Sequence, residues 1–263
     1  MSTVKPQYPD CLSVVIPVYN EEASLAEVVR KLLSLPHLLE IIIVDDCSTD
    51  RSAEIARELS AADPRVRLAQ QKKNSGKTAA LRLGFSLTQG DIVIVQDADL
   101  EYDPEEIPLV IRPILEGHAD VCFGSRFLVR RATRVLYFYH YVANKFLTFT
   151  SNLFTNLNMT DIETGYKAFR GDIIRNMVIV SSGFGFEVEA TAKVAKLGCP
   201  IYEVPISYYG RTYEEGKKIG VKDGLLAVWL IFRFNLFCPL SSAYRELPEP
   251  RETSAGQIVD TNA

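Results

Sequence analysis

The chain of 263 residues lacks the marks of several large protein classes. Its cysteines, Cys11, Cys47, Cys122, Cys199 and Cys238, are odd in number, scattered, and never spaced C-x-x-C. They point to neither a disulfide framework nor a zinc site, and a reducing compartment fits best. The opening MSTVKPQYPD has no apolar core of the kind a signal peptide carries. The longest uncharged apolar run near the C-terminus, residues 224–232, falls far short of the roughly 18 to 20 residues that span a bilayer. A soluble or peripheral protein is expected. A basic excess is missing too: 29 Lys and Arg stand against 33 Asp and Glu, a net charge of −4, which argues against nucleic acid as a partner. Two nucleotide-binding signatures are also absent. The first apolar run is followed by P-V-Y-N-E-E rather than G-x-G-x-x-G, so a dinucleotide is not expected. Gly76-Lys77-Thr78 resembles the end of a P-loop, but Gln71 stands where that pattern needs glycine, so Lys77 is not a Walker lysine.

What is present is ordinary globular material. Hydrophobic residues make up 47% of the chain and charged residues 24%, enough for a sizeable core in one large domain or two small ones. Four apolar, β-branched runs, at 12–18, 41–44, 66–68 and 92–95, lack polar alternation and read as buried parallel strands. Leu25, Val28, Val29, Leu32 and Leu33 have helical spacing, with Asn20 as the expected cap and Glu21 and Glu22 in the first turn. Asp103-Pro104-Glu105-Glu106 supplies a cap, a proline at the first helical position and acids for a further helix over Ile107, Val110, Ile111, Ile114 and Leu115. Further strands are expected at 119–123, 165–169 and 201–206, and a helix at 186–197. This alternation predicts an open α/β sheet with right-handed crossovers.

In such sheets the ligand sits beyond the carboxyl ends of the strands. There the chain places Pro17-Val18-Tyr19-Asn20-Glu21, Asp45-Asp46-Cys47-Ser48-Thr49-Asp50 and Gln96-Asp97-Ala98-Asp99-Leu100-Glu101, a concentration of carboxylates at one edge. Asp97 and Asp99, two apart at a strand end, are expected on one face. Carboxylates so placed repel unless a cation joins them. A hard divalent ion, Mg²⁺ or Mn²⁺, resolves the repulsion and keeps coordination sites for a diphosphate, with Glu101 as a third ligand if the chain turns there. A solvated loop or an extended helix cap is the competing structural reading.

PVYNEE, DDCSTD, NSGKTAAL, QDADLEYDPEEI, GSRF and EGKKI occur in the order and spacing of family 2 glycosyltransferases. Over about residues 10 to 235 the chain resembles the polyprenyl-phosphate sugar synthases of the dolichol-phosphate mannose synthase type. The resemblance implies an α/β fold of GT-A type: an open, mostly parallel sheet flanked by helices, with C-terminal acceptor-side helices. It implies one catalytic domain over 10–238, with a nucleotide-sugar half at 10–125 and an acceptor, membrane-facing half at 126–238, before a disordered tail at 239–263.

The implied reaction is metal-dependent, inverting transfer of a hexose from a GDP-mannose or UDP-glucose type donor to a dolichyl or undecaprenyl phosphate. The alternative is a family 2 transferase acting on a saccharide or other hydroxyl. By resemblance Pro17, Tyr19 and Glu21 line the base and ribose pocket, Asp46 reaches base or ribose, and Lys77 and Ala98 also belong to the donor site. Asp97 and Asp99 match the family's metal and diphosphate site, with Glu101 where glutamine is common and Cys47 where glycine is commoner. Arg126 and Arg134 stand where the synthases place phosphate-binding arginines, whose planar fork suits phosphate. Lys217 and Lys218 match a mobile loop closing over the diphosphate, with Gly216 as hinge. Asp161, in D-I-E-T-G-Y-K, matches an acceptor-side acid that acts as general base toward an alcohol. A phosphate acceptor, with a second pKa near 6, needs no such base, and Asp161 or Glu163 would then only position groups. Aromatics interleaved with Arg130, Arg131, Arg134 and Lys145 across 130–158 suit an anionic membrane surface, so the resemblance implies peripheral attachment to a cytoplasmic membrane face, directly or through a separate membrane partner.

Overall fold

The computed structural model describes residues 9–128, 134, 137–210 and 221–248. The uninterrupted apolar runs become strands because both faces of the sheet are covered. Along β1 (Leu12–Val18), Val14 and Ile16 enter one apolar cluster while Val15 enters the other, on the opposite face. The same two-residue period divides β2 (Leu38–Asp45), where Ile41 and Ile43 face one way and Ile42 and Val44 the other. The elements then follow as α1 (Leu25–Leu32) between β1 and β2, α2 (Ser52–Ala62), β3 (Val66–Gln70), α3 (Lys77–Leu87), β4 (Ile92–Val95), a single turn of 3-10 helix, α4 (Ile107–Leu115) and β5 (Val121–Ser125). The second half contains α5 (Phe138–Thr155), β6 (Lys167–Arg170), α6 (Gly171–Asn176), α7 (Phe186–Leu197), β7 (Ile201–Pro205), α8 (Val221–Leu236) and α9 (Leu240–Ala243).

The seven strands form one sheet in the order β3-β2-β1-β4-β6-β5-β7. All neighbouring pairs are parallel except β4–β6 and β6–β5, so the sheet is mixed, with a single reversed strand near its centre. From β1 the chain winds outward to β3 and then returns to lay β4 on the other side of β1. That reversal opens a crevice at the carboxyl ends of β1 and β4. Gly84 lets α3 lie close to the sheet, since a Cβ there would collide with Val15.

Three local expectations change. Asn20 does not cap α1, which begins at Leu25, behind Ser24. Asn20 instead adopts a left-handed backbone (φ 55°) and accepts a hydrogen bond from the Thr49 N–H at 2.8 Å, tying the loop after β1 to the loop after β2. Within the segment expected as a tail, residues 240–244 pack onto the body: Ala243 and Tyr244 are buried, and Tyr244 bridges to Met177. The Asp97–Asp99 pair lies past the end of β4, in a turn with Leu100 at φ 60°, so the turn rather than strand pleating orients it.

Candidate active site

A cavity of about 350 Å³ occupies the crevice. Most of its walls are segments that follow or precede a strand of the sheet, completed by α3 and by the loop that leads into α7. Pro17, Tyr19 and Glu21 come from the end of β1, Asp46 from β2, and Asp97, Ala98, Asp99 and Glu101 from the turn after β4. Lys77 enters from the start of α3 and Arg126 from the end of β5. All these residues singled out in the sequence therefore share one cavity. Arg134 does not line it: its guanidinium donates to the Gly210 carbonyl at 3.1 Å. Lys217 and Lys218 lie outside the described residues.

The local chemistry explains how the walls hold their shape. Asp46 accepts from the backbone N–H groups of Ser75 (2.8 Å) and Gly76 (2.7 Å), fixing the 74–76 loop, while each oxygen keeps a second lone pair. Cys47 next to it sits at φ 62°, the left-handed region that favours glycine, which is the physical reason a glycine would be at ease there. On the far wall Thr78 binds the Gly183 carbonyl through its N–H (3.0 Å) and its hydroxyl (2.9 Å), and Glu189 accepts from the Val180 and Ser181 N–H groups. Glu189 is fully buried and pairs with Lys193 at 2.5 Å, so an internal ion pair holds the loop that carries Gly183 and Phe184 into the cavity.

Among the described residues, the two cations that line the cavity, Lys77 and Arg126, are already partnered. Lys77 Nζ lies 2.8 Å from Asp97 and 3.0 Å from Glu187. Burial alone would lower its pKa, but the charges of Asp97 and Glu187 outweigh burial and hold it well above the ordinary lysine value. Arg126 forms a two-pronged bond with Asp161, at 2.7 Å from Nε and 2.8 Å from Nη2, and stacks over the Tyr208 ring at 5.1 Å. Asp161 is wholly buried; its burial opposes ionisation, but Arg126 overrides it and keeps the carboxyl below the ordinary value. In this arrangement Asp161 serves Arg126: both its oxygens accept from the guanidinium, it is not among the residues that line the cavity, and its affinity for a proton is reduced. Its role in the geometry is to aim the guanidinium.

The three acids proposed as metal ligands do not converge as a carboxylate trio. Asp97 turns to Lys77, the Glu101 carboxylate accepts from the Tyr208 hydroxyl at 2.9 Å, and Asp99 accepts from the Glu101 N–H at 3.1 Å. Among the described residues no group of three or more His, Cys, Asp or Glu side chains is disposed to hold an ion. Among the described lining residues there is no His or Cys, and the side chains able to ligate an ion are carboxylates on a wall open to ligand. They fit a hard divalent ion that takes one or two carboxylates from protein and the rest of its shell from diphosphate and water.

Several lining residues were not signalled in the sequence: Tyr102, Gly183, Phe184, Glu187 and Tyr208. Glu187 falls inside the helix expected at 186–197 and carries no signal of its own. Its meeting with Lys77, across 110 positions of chain, exists only in the fold. Glu163 also lines the cavity, and its carboxyl is pushed up to about 7, by burial first and by the charge of Glu187 next.

Beside the cavity, α5 and α8 lie against each other, with Phe154 and Phe232 in edge contact at 5.1 Å. Their outer faces leave Phe138, Tyr139, Phe149 and Leu153 of α5, and Leu225, Trp229 and Leu236 of α8, exposed, with Phe237 following. Among the described residues no helix is long and apolar enough to cross a membrane.

Comparison with known proteins agrees with this architecture. Residues 13–178 match the family model "Glycosyl transferase family 2". An undecaprenyl-phosphate mannosyltransferase of Micrococcus luteus is 32% identical over 216 residues, covering 78% of this chain and 86% of that protein. A polyprenol monophosphomannose synthase of Mycolicibacterium smegmatis is 30% identical over 214 residues, 79% of this chain and 80% of the relative. Among solved structures, glucosyl-3-phosphoglycerate synthase of Mycobacterium tuberculosis, in complex with Mn²⁺, UDP and phosphoglyceric acid, superimposes with a TM-score of 0.64 at 20% identity, over 85% of this chain and 78% of that one. That likeness shows the fold, an open mixed sheet of GT-A type. Fold, family model and relatives agree, and the chain belongs to glycosyl transferase family 2 and is a glycosyltransferase.

Proposed function

We propose that this glycosyltransferase moves a hexose, with inversion, from a nucleoside-diphosphate sugar of GDP-mannose or UDP-glucose type to a polyprenyl phosphate. The observation that carries the reading is the commitment of Asp161 to Arg126. A hydroxyl acceptor needs a base, and this acid is buried, doubly bonded and weakened as a base. A phosphate monoester is already a nucleophile at neutral pH and needs only a cation to hold it. The names of the Micrococcus and Mycolicibacterium relatives point to the same acceptor class.

Pro17, Tyr19, Glu21 and Asp46 would hold the nucleoside, and the diphosphate would lie between Lys77, the Asp97–Asp99 turn and Arg126. A phosphate oxygen of the acceptor attacks the anomeric carbon from the face opposite the leaving group. The new C–O bond forms as the bond to the diphosphate breaks, and the nucleoside diphosphate departs with the electron pair. Lys77 and Arg126, preset in a partly dehydrated cavity, stabilise the charge that grows on the departing oxygen. A divalent ion held by Asp99, with Asp97 or Glu101 beside it, would add Lewis-acid neutralisation of the same charge.

The exposed apolar faces of α5 and α8 would rest in the headgroup layer of a cytoplasmic membrane face and bring the lipid phosphate to the cavity mouth. The division into a donor half, 10–125, and an acceptor half, 126–238, follows from this placement. A mass-spectrometric transfer assay tests it, pairing GDP-mannose, UDP-glucose and UDP-N-acetylglucosamine with dolichyl and undecaprenyl phosphate in the presence of Mg²⁺ or Mn²⁺. A glycosylated lipid, lost on chelation, is the expected product. Donor binding or slow hydrolysis without lipid product would overturn the acceptor.

A further inference from the structure

Two buried carboxylate oxygens on the cavity wall, Glu163 Oε1 and Glu187 Oε2, have no hydrogen-bond partner among the described residues. Buried acceptors are nearly always satisfied, so a pair of orphans facing one cavity calls for an explanation. Glu187 is only 5% exposed, and its other oxygen is held by Lys77 at 3.0 Å. The same ammonium holds Asp97 at 2.8 Å. One lysine thus joins the diphosphate wall to the carboxylate pair, so the pair lies next to the position of the diphosphate and not beside the nucleoside residues of β1 and β2. Whatever is bonded to the outer phosphate of the donor would meet these two acids first.

We propose that Glu163 and Glu187 form the subsite for the transferred sugar, each accepting a hydrogen bond from a ring hydroxyl through its unpaired oxygen. This deepens the function proposed above and rests on the cavity being a donor site. The chemistry defines the ligand class. The unpaired carboxylate oxygens are acceptors for hydroxyl donors, and the negative charge shared by the pair disfavours an anionic sugar such as a uronic acid, so the wall selects a neutral sugar with free hydroxyls. Hydrogen bonds from hydroxyl to carboxylate are short and charge-assisted, and inside a cavity they discriminate strongly against a ligand that leaves the acceptor unpaired. Neighbouring groups fit a sugar as well. Gly165 has no Cβ, and one added there would come within 2.5 Å of Asp97 Oδ2, so the wall beside Glu163 stays clear of side chain. Phe184 supplies an apolar surface on the same wall. Behind Glu163, the buried Lys167 donates to the Ile162 carbonyl at 2.9 Å and supplies a compensating charge without entering the cavity.

Calorimetric titration of the full chain with GDP, GDP-mannose, UDP and UDP-glucose, in the presence of Mn²⁺, tests the assignment without any acceptor. With the base the protein prefers, Glu163→Gln should weaken binding of the nucleotide sugar about tenfold and leave the plain diphosphate within about twofold, because only the sugar reaches this wall. Glu163→Asp, which keeps the charge and withdraws the oxygen, should show the same split. Equal losses for sugar and diphosphate, or no change in either, would overturn the subsite. Wild-type protein that binds none of the four nucleotides would overturn the donor site itself and this assignment with it. Failure of lipid transfer alone leaves the readout intact and bears only on the acceptor.

Discussion

Replacing Glu163 by glutamine should change how stability depends on pH, in a direction and amount set by its surroundings. The folded chain holds this carboxyl at about 7, against an ordinary 4.5, because burial and the Glu187 charge disfavour ionisation. A group whose pKa is raised on folding contributes its full stability below the unfolded value and loses it as pH rises through the folded one. Between about pH 4.5 and pH 7 the unfolded chain gives up this proton while the folded chain keeps it. At about 1.4 kcal/mol for each tenfold difference in proton affinity, the wild-type protein should lose about 3 kcal/mol relative to E163Q across that range. Urea unfolding of ligand-free protein at pH 5, 6 and 7.5 reads this as a gap between the two midpoints that widens with pH, by about 1 M overall for an m-value of about 2 to 3 kcal/mol/M. Lys167 works in the opposite sense above that range. Burial lowers its pKa to about 8, so stability recovers as pH climbs from about 8 toward the ordinary lysine value. The wild-type profile should therefore carry a shallow minimum between about pH 7 and 8 that E163Q lacks on its acid side. A gap between the two proteins that stays constant from pH 5 to 7.5 would refute the buried, charge-opposed state of Glu163.

Three other substitutions probe separate parts of the site. Asp161→Ala leaves the Arg126 guanidinium buried without its partner, which should cost about 3 to 5 kcal/mol in thermal or chemical unfolding; an unchanged melting temperature would show that Arg126 is not held as described. Lys77→Met removes one cation between two carboxylates and one stabiliser of the leaving diphosphate, so kcat should fall by about 10²-fold or more, and a fall confined to KM would contradict its transition-state role. Trp229→Ser combined with Phe237→Ser, at positions 56% and 72% exposed, should lower co-sedimentation with vesicles containing anionic lipid while leaving the melting temperature within about 1 °C; unchanged sedimentation would remove the α5–α8 face from membrane contact.

Strand positions were legible because burial on both faces leaves a plain apolar signature. The runs at 12–18 and 92–95 match β1 and β4 to the residue, whereas β2 starts earlier, at Leu38, since its first residues pair with Leu12 and Ser13 and include the polar Glu40. Glu40 looks wrong for a buried strand, yet it accepts from Ser13 Oγ at 2.8 Å and pairs with Arg67 at 2.7 Å, partners that become neighbours only once β1, β2 and β3 align. Strand direction was not legible at β6. An apolar run carries no sign of polarity along the sheet, so its antiparallel pairing with β4 and β5 appears only in the structure. The same division runs through the site. Topology marked the segments after β1, β2 and β4 and the family resemblance picked residues within them, whereas the contacts of Glu187 with Lys77 and of Asp161 with Arg126 span 110 and 35 positions that no local spacing encodes.

The internal pairing of the site's cations has a consequence for how it meets its ligands. An empty phosphate site with bare Arg126 and Lys77 would suffer the cost of two buried positive charges. Here Asp161 offsets one and the Asp97–Glu187 pair the other, which holds both partly buried cations at the cavity before any ligand arrives. The two arrangements differ in what a diphosphate must do. Asp161 contacts Arg126 through Nε and Nη2 from behind the wall, so Nη1 remains for an incoming phosphate oxygen and the pair need not break. Lys77, in contrast, sits between two carboxylates that themselves border the cavity, and a diphosphate bound as proposed would have to share it with Asp97. A divalent ion attracted to Asp97 and Asp99 would relieve that competition by drawing Asp97 off the lysine and freeing one of its N–H groups for the leaving oxygen. Metal and donor should then bind with positive coupling, each tightening the other, and Lys77→Met should weaken that coupling because the competition it resolves is gone.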